Sequence, residues 1–318
     1  MRRAAAVPVL LAVLAGVAGC NAGEDDPTIG TDGDASTTVA TTAAAAPPSS
    51  TTVPATTAAA PAPTTTTTTT TGRRGGGLSV LGEGDPASIA SAIATSEAAI
   101  RDAATPAADL ERHGTAQQAA YRQLTARPDW LDDVLARLPA GLHATVRANV
   151  SAGADLRALT KPRDALPPWR IVAPAPPEEL LGYYKAAEAQ LGAPWQYLAA
   201  IHLVETRMGR IRGTSTAGAQ GPMQFLPATW GQYGAGGDIN SNRDSILAAA
   251  RYLVRNGAPG NMANALFNYN RSDRYVRAVT AYAEQMEADE RAYLGYYHWQ
   301  VYYRMPDGDR LLPVGYGA

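Results

Sequence analysis

Between residues 85 and 304 the apolar positions recur at intervals of three and four, and no series of alternating apolar and polar runs is present that would mark a sheet. Asp85-Pro86 and Thr105-Pro106 each set a capping residue before a proline suited to a first helical position. The runs after them are rich in Ala, Leu, Glu and Arg. Pro128-Asp129 opens a short helix, and residues 141–159 read as another. Beyond a Pro-rich stretch, helices are expected over 178–191, 195–208, 227–233, 244–256, 262–268, 273–287 and 291–304. Asp244 suits an N-cap and Gly257 a helix C-terminus. The pattern predicts a mainly α chain.

The helical pattern does not reach the N-terminal end. Residues 21–77 are dominated by Thr, Ala, Pro, Ser and Gly, with an unbroken threonine run from Thr64 to Thr71. Such a segment cannot bury enough apolar surface to offset its ordering entropy, so a disordered linker is expected. A coil of that length spans on the order of 40 Å. Before it, Met1-Arg2-Arg3 is basic, Ala4 to Gly19 is apolar, and small residues lead to Cys20, which is the pattern of an export signal. The apolar run is shorter than the roughly 18 residues of a membrane span. This stretch resembles the bacterial lipobox, which implies lipidation at Cys20 and anchorage to the outer face of the cell membrane, facing the wall. An ordinary secretory signal and an uncleaved anchor are the alternatives. With one cysteine in 318 residues, an intramolecular disulfide is excluded.

The expected organisation is therefore an export signal at 1–20, a linker at 21–77, a helical region at 78–165, a Pro-rich hinge at 166–177, a second helical domain at 178–304 and a tail at 305–318. The 78–165 region carries no chemistry-bearing motif. It reads as a support packed on the second helical domain, with a separate interaction module as the alternative. The formal net charge is −2, and no Lys/Arg-rich block is present, which excludes nucleic acid as the expected partner.

The candidate chemistry lies in the second helical domain. On the helix at 195–208, Leu198, Ile201, Glu205 and Met208 share a face, so Glu205 interrupts an apolar stripe. Desolvation there disfavours the charged carboxylate and raises its pKa, as a general acid near neutral pH requires. An ion pair with Arg207 or Arg210 is the ordinary alternative. Downstream, Gly218-Ala219-Gln220-Gly221 is a run of small residues that lets backbone approach a ligand closely, and Met223-Gln224-Phe225-Leu226-Pro227 leads into the next helix. Tyr269-Asn270 closes a short apolar helix.

Together, Glu205-Thr206-Arg207-Met208-Gly209, the segment from Ser215 to Pro227, and Tyr269-Asn270 resemble the catalytic signature of lytic transglycosylases, lysozyme-like enzymes that cut the glycan of bacterial peptidoglycan. The chain matches every fixed position of the family's Ser-x-x-Gly-Ala-x-Gly-x-x-Gln-x-x-Pro pattern. The resemblance covers roughly residues 180 to 290 and implies a lysozyme-like catalytic domain with Glu205 as the catalytic acid. It further implies that Tyr269 hydrogen-bonds near that carboxyl, that Gln224 and Asn270 contact the glycan, and that Ser215 lies beside it. Three positions depart from the pattern: Thr206 stands where serine is common, Pro222 replaces an apolar residue, and Arg271-Ser272-Asp273 replaces a Gly-rich continuation.

The resemblance implies cleavage between N-acetylmuramic acid and N-acetylglucosamine with one carboxyl acting first as acid and then as base, and closure of a 1,6-anhydro ring. Hydrolytic glycosidases ordinarily use two carboxylates; Asp238, Asp244 and Asp273 are read as turn and capping residues. A hydrolytic muramidase and a catalytically silent peptidoglycan-binding lipoprotein are the alternatives. No cofactor is called for. His113, His143, His202 and His298 lack metal-ligand spacing, and residues 238–249 lack the glycine and glutamate of a calcium loop. The aromatic run at 293–303 reads as helical core.

Overall fold

The chain enters its first helix through a capping box: the Asp85 carboxylate accepts from Ser88 N at 2.7 Å, and Ser88 Oγ accepts from Asp85 N at 2.9 Å. The computed structural model describes residues 84–318. The expected export signal, Cys20 and the Thr-rich linker lie outside the described residues. Among the described residues, no helix is long and apolar enough to cross a membrane.

Helix α1 spans Pro86–Arg101, with Pro86 at its first position. Helix α2 spans Ala107–Ala126 and corrects the expected cap. Pro106 occupies the N-cap with ψ 142° and no side-chain bond, so Thr105 lies outside the helix. After a 3-10 turn at Pro128–Trp130 comes α3, Leu131–Ala136; a second 3-10 turn at Ala140–Leu142 leads into α4, His143–Ala158. The next elements are the short strand β1, Arg170–Ile171, then α5, Pro177–Leu191, and α6, Trp195–Thr206.

Strand β2, Ile211–Arg212, pairs antiparallel with β1, and is followed by α7, Pro227–Tyr233, and α8, Asn242–Arg255. The cap of α8 is Ser241, whose hydroxyl accepts from Asp244 N; Asp244 is already inside the helix. Helices α9, Met262–Tyr269, and α10, Asp273–Ala288, lie close to the sequence expectation.

The C-terminal end departs from it. Helix α11, Ala292–Tyr297, stops well short of Arg304, and β3, Val301–Met305, forms an antiparallel hairpin with β4, Gly308–Leu312. The Val, Tyr, Tyr run favours a pleated, half-buried surface, and Pro306-Asp307 supplies the two-residue turn between the paired Met305 and Gly308, with Gly308 at φ 127°. Val301, Tyr303 and Leu312 build a second small core with Trp169, Ile171 and Ile211. That core pins the Pro-rich stretch: Ile171 N donates to Tyr316 O, and Gly315 N donates to Ile171 O, both at 2.9 Å.

One large core holds the rest together, running from Ile93, Leu124 and Leu156 through Leu198, Leu266 and Val279. Helix α10 packs against both α4 and α6, and α11 packs against α2. Polar ties join the same seams. Asp155 of α4 accepts from Arg277 through both oxygens, at 2.8 and 2.9 Å, and from Arg274 at 3.1 Å. Gln118 exchanges two bonds with the backbone of Gln300, and Tyr296 Oη donates to Asn149 Oδ1.

Removing residues 1–165 strips the cover from one side of α10 and α11 and exposes Tyr282 and Tyr296 to water. The shortened chain is expected to lose its cooperative thermal transition and its near-ultraviolet circular dichroism. A sharp melt with native near-ultraviolet signal would show that α1 to α4 are dispensable.

Candidate functional site

Helix α6 is buried on every side: each residue from Leu198 to Thr206 is buried. The expected apolar stripe is thus one strip of a fully enclosed helix. The helix ends at Thr206, before the expected Met208, because Arg207, Met208 and Gly209 take the left-handed conformation, with φ 54°, 58° and 79°. Two successive non-glycine residues in that region cost roughly 1–2 kcal/mol each. Thr206 secures the turn, since its Oγ1 donates to Pro222 O at 2.6 Å and accepts from Gly209 N at 3.1 Å. The departure from serine at this position therefore keeps the hydroxyl.

Glu205 is 1% exposed. Its Oε1 accepts from the hydroxyl of Tyr275, on α10, at 2.8 Å. The Tyr275 ring lies parallel to that of Tyr269, with centroids 6.4 Å apart. Tyr269 closes α9 and donates from Oη to Met223 O at 2.6 Å; Phe225 and Tyr252 meet its ring edge-on. Tyr275 belongs to none of the motif segments, and reasoning from the sequence misses it. Its signal is available in the apolar spacing of α10, because a fully buried tyrosine needs a partner for its hydroxyl.

The segment between α6 and α7 is a folded loop. Ser215 is buried and its Oγ accepts from Ala217 N and Ala219 N, at 3.1 and 2.8 Å, so the hydroxyl shapes the loop. Ser215 also borders a groove of about 600 Å³ that Trp169, Thr216 and Tyr303 help to line. Gln220 and Phe225 exchange backbone bonds at 2.9 Å across the tight turn between them. Gly221 sits at φ 75°, where an added Cβ would fall 1.9 Å from Ile239 O, which requires glycine.

Gln224 is fully buried at φ 53°, and its Nε2 donates to Gly221 O at 2.8 Å. Its Oε1 is buried with no protein donor, and the Nδ2 of Asn270, a residue 3% exposed, is buried with no acceptor. Each unpaired buried group of this kind costs about 1–3 kcal/mol unless something supplies its partner. The three segments are joined by specific bonds, Thr206 to Pro222 and Tyr269 to Met223, and Glu205 is tied to α10 through Tyr275.

Neighbouring charges have other work. Arg207 turns back on its own helix and donates from Nη1 to Leu203 O at 2.7 Å; burial lowers its pKa to about 10. Arg210 donates to Arg207 O and Tyr297 O. His202 is fully buried, meets the Tyr184 hydroxyl through Nδ1 at 2.7 Å, and is held neutral because burial pushes its pKa down to about 3. Asp238 accepts from Asn240 N, and Asp244 accepts from Asp238 N, so both carboxylates fold their own loop. Asp273 starts α10. Arg271, in the departing segment, lies over the Phe267 ring at 5.6 Å.

Comparison with protein-family models, with curated proteins and with solved structures gave no match for this chain.

Thr206→Val keeps the β-branched shape and removes the hydroxyl, leaving Pro222 O and Gly209 N without their partner. The expected loss is about 1–3 kcal/mol, read from the urea midpoint at constant slope. A variant as stable as the parent would show that the left-handed turn stands without this bond.

Proposed function

We propose that this protein is a lytic transglycosylase with a lysozyme-like catalytic domain, exported and held at the outer face of the cell membrane by a lipid on Cys20. Its substrate on this reading is the peptidoglycan glycan strand. The observation that carries the proposal is the buried Glu205 carboxyl, bonded to Tyr275 within a set of motif segments tied to one another, with Gln224 Oε1 and Asn270 Nδ2 still lacking partners.

The proposed chemistry needs one carboxyl. Glu205 in its acid form gives its proton to the glycosidic oxygen between N-acetylmuramic acid and N-acetylglucosamine, and the C1–O bond breaks. The substrate's acetamido oxygen stabilises the electron-poor C1. Glu205, now a carboxylate, takes the proton from the muramyl C6 hydroxyl as that oxygen bonds to C1 and closes the anhydro ring. The proton count balances and no water is consumed.

Burial disfavours the carboxylate form of Glu205, while a donated hydrogen bond from Tyr275 favours it. A group that must serve as acid and then as base is suited by such opposing influences. Tyr275 also restricts the rotation of the carboxyl through Oε1. Gln224 and Asn270 supply an acceptor and a donor to sugar hydroxyl and acetamido groups. The loop carboxylates Asp238 and Asp244 are engaged with their own backbone, which is consistent with a route that does without a second catalytic carboxylate.

Digestion of purified peptidoglycan, with the products resolved by mass spectrometry, tests the proposal. Anhydro-muropeptides are expected, with Glu205→Gln lowering their rate of formation at least about a hundredfold. Reducing ends would assign a hydrolytic muramidase, and no cleavage by the folded protein would assign a binding role.

Tyr275→Phe is expected to slow the reaction roughly ten- to a hundredfold, the range for one hydrogen bond to a charged group. Removing a donor that favours the carboxylate raises the Glu205 pKa, so the alkaline limb of the rate profile should move to higher pH. An unchanged limb would show that the Tyr275 bond does not tune the acid.

A further inference from the structure

A second cavity lies between α2, α4 and α10 and is closed by Trp299 and by Asp309 of the C-terminal hairpin. Three guanidiniums converge on it: Arg122 from α2, Arg157 from α4, and Arg207 from the left-handed turn after Glu205. One carboxylate answers them. Asp309 Oδ2 accepts from both Arg122 Nη2 and Arg157 Nη1, while Arg207, 7% exposed, has Leu203 O as its protein acceptor.

Four of the other polar side chains on the wall, Gln118, Tyr121, Asn149 and Trp299, bond to groups that do not line it. Gln118 spends both ends of its amide on the Gln300 backbone, and Asn149 is held between Thr145 O and the Tyr296 hydroxyl. The nearby Glu97 is paired with Arg101 and accepts from Gln117 and Tyr121, so it leaves the arginines uncompensated. Arg304, which donates to Arg157 O and Thr160 O, adds positive charge on the same side. Three arginines against one aspartate leave a surplus of two positive charges around this cavity, with Arg207 and Arg122 the more deeply buried of the three. Uncompensated buried charge is costly, and a guanidinium offers five donors in a fork that matches an oxyanion. Burial lowers the pKa of both Arg122 and Arg207, in keeping with their position in the wall.

We propose that this cavity binds a compact oxyanion, of carboxylate or phosphate size, through Arg122, Arg157 and Arg207. The space available to the centres of water-sized molecules is about 40 Å³. At roughly 10–15 Å³ per water, that is room for about three or four waters, which suits a compact ion. Arg122 Nε is buried without an acceptor, which the anion supplies; Asp309 Oδ1, buried without a donor, sets the side of the cavity that the anion must avoid. Because Arg207 belongs to the turn that terminates α6, the bound anion braces the end of the helix that carries Glu205. The proposal is independent of the enzymatic reading, since it rests on the charge balance of a different cavity.

The test is thermal melting of the full chain in increasing inorganic phosphate, with ionic strength held constant by sodium chloride, and a parallel series in acetate. A saturating rise in melting temperature of about 3 °C or more is expected with one or both ions. Arg157→Met, at a side chain 35% exposed and therefore tolerant of replacement, is expected to weaken the apparent affinity about tenfold. Arg207→Met, if folded, should abolish the saturating component. A rise that stays linear in salt is a general solvent effect and overturns the proposal. A saturating rise unchanged in Arg157→Met places the ion elsewhere and overturns it equally.

Discussion

A helix enclosed on all sides must be covered by other elements around its whole circumference, and α6 imposes that demand on the rest of the fold. Leu198, Ala199, Ala200 and Ile201 step round the helix by about 100° per residue and are all fully buried. Helices α5, α8, α10 and α11 meet it from different directions. Without an intramolecular disulfide, this packing is what fixes the end of α6, and hence Glu205, in place. The terminal carbonyls are satisfied locally: Leu203 O accepts from Arg207 N and Nη1, and His202 O accepts from Met208 N. A helix that stops inside a core is viable only when such bonds are made.

The same demand explains why the first four helices are continuous with the rest. Helix α10 is amphipathic with a broad apolar face, and α6 covers only part of it; α4 covers more. Tyr275 faces Glu205, while Tyr282, two turns later on the same helix, packs edge-on against Tyr296 and Trp299. The helix that supplies the hydrogen-bond donor to the carboxyl is therefore positioned from both ends. Asp155 adds direction to this contact through its paired bonds to Arg277, which lie at the rim and so contribute modestly to stability.

Much of this was legible in the sequence, and the misses share a cause. Proline at a first helical position located α1 because its ring fixes φ and its missing N–H is not needed there. At Pro106 the same residue sits one position earlier, and only ψ decides between those placements. The run from Tyr293 to Tyr303 fits helical spacing, yet its second half is a strand. There the partner β4 and the turn at Pro306-Asp307 decide, and local spacing does not contain them. The sequence order of Glu205, Ser215, Gln224, Tyr269 and Asn270 identifies candidates but not their bonds. Ser215 shapes its own loop, and Tyr275, absent from the motif, makes the bond to Glu205.

The backbone itself marks this region as unusual. Among the described residues, four non-glycine residues have positive φ: Arg207, Met208, Gln224 and Ala235. Three of these four lie in the two segments that Thr206 fastens together. Left-handed backbone at a residue bearing a Cβ persists only where the surroundings over-determine it, and Gln224 combines it with a buried oxygen that has no donor. A fold that served stability alone would relax such a position, since glycine at 224 would remove the strain and the orphaned oxygen together. Retaining glutamine there is reasonable if its side chain meets a partner that arrives from outside the chain. Strain in the backbone and unpaired polarity in the side chain thus coincide in the segment that Thr206 ties to the end of α6, and a hydroxyl-rich ligand is the kind of molecule whose donors and acceptors would complete both Gln224 and Asn270.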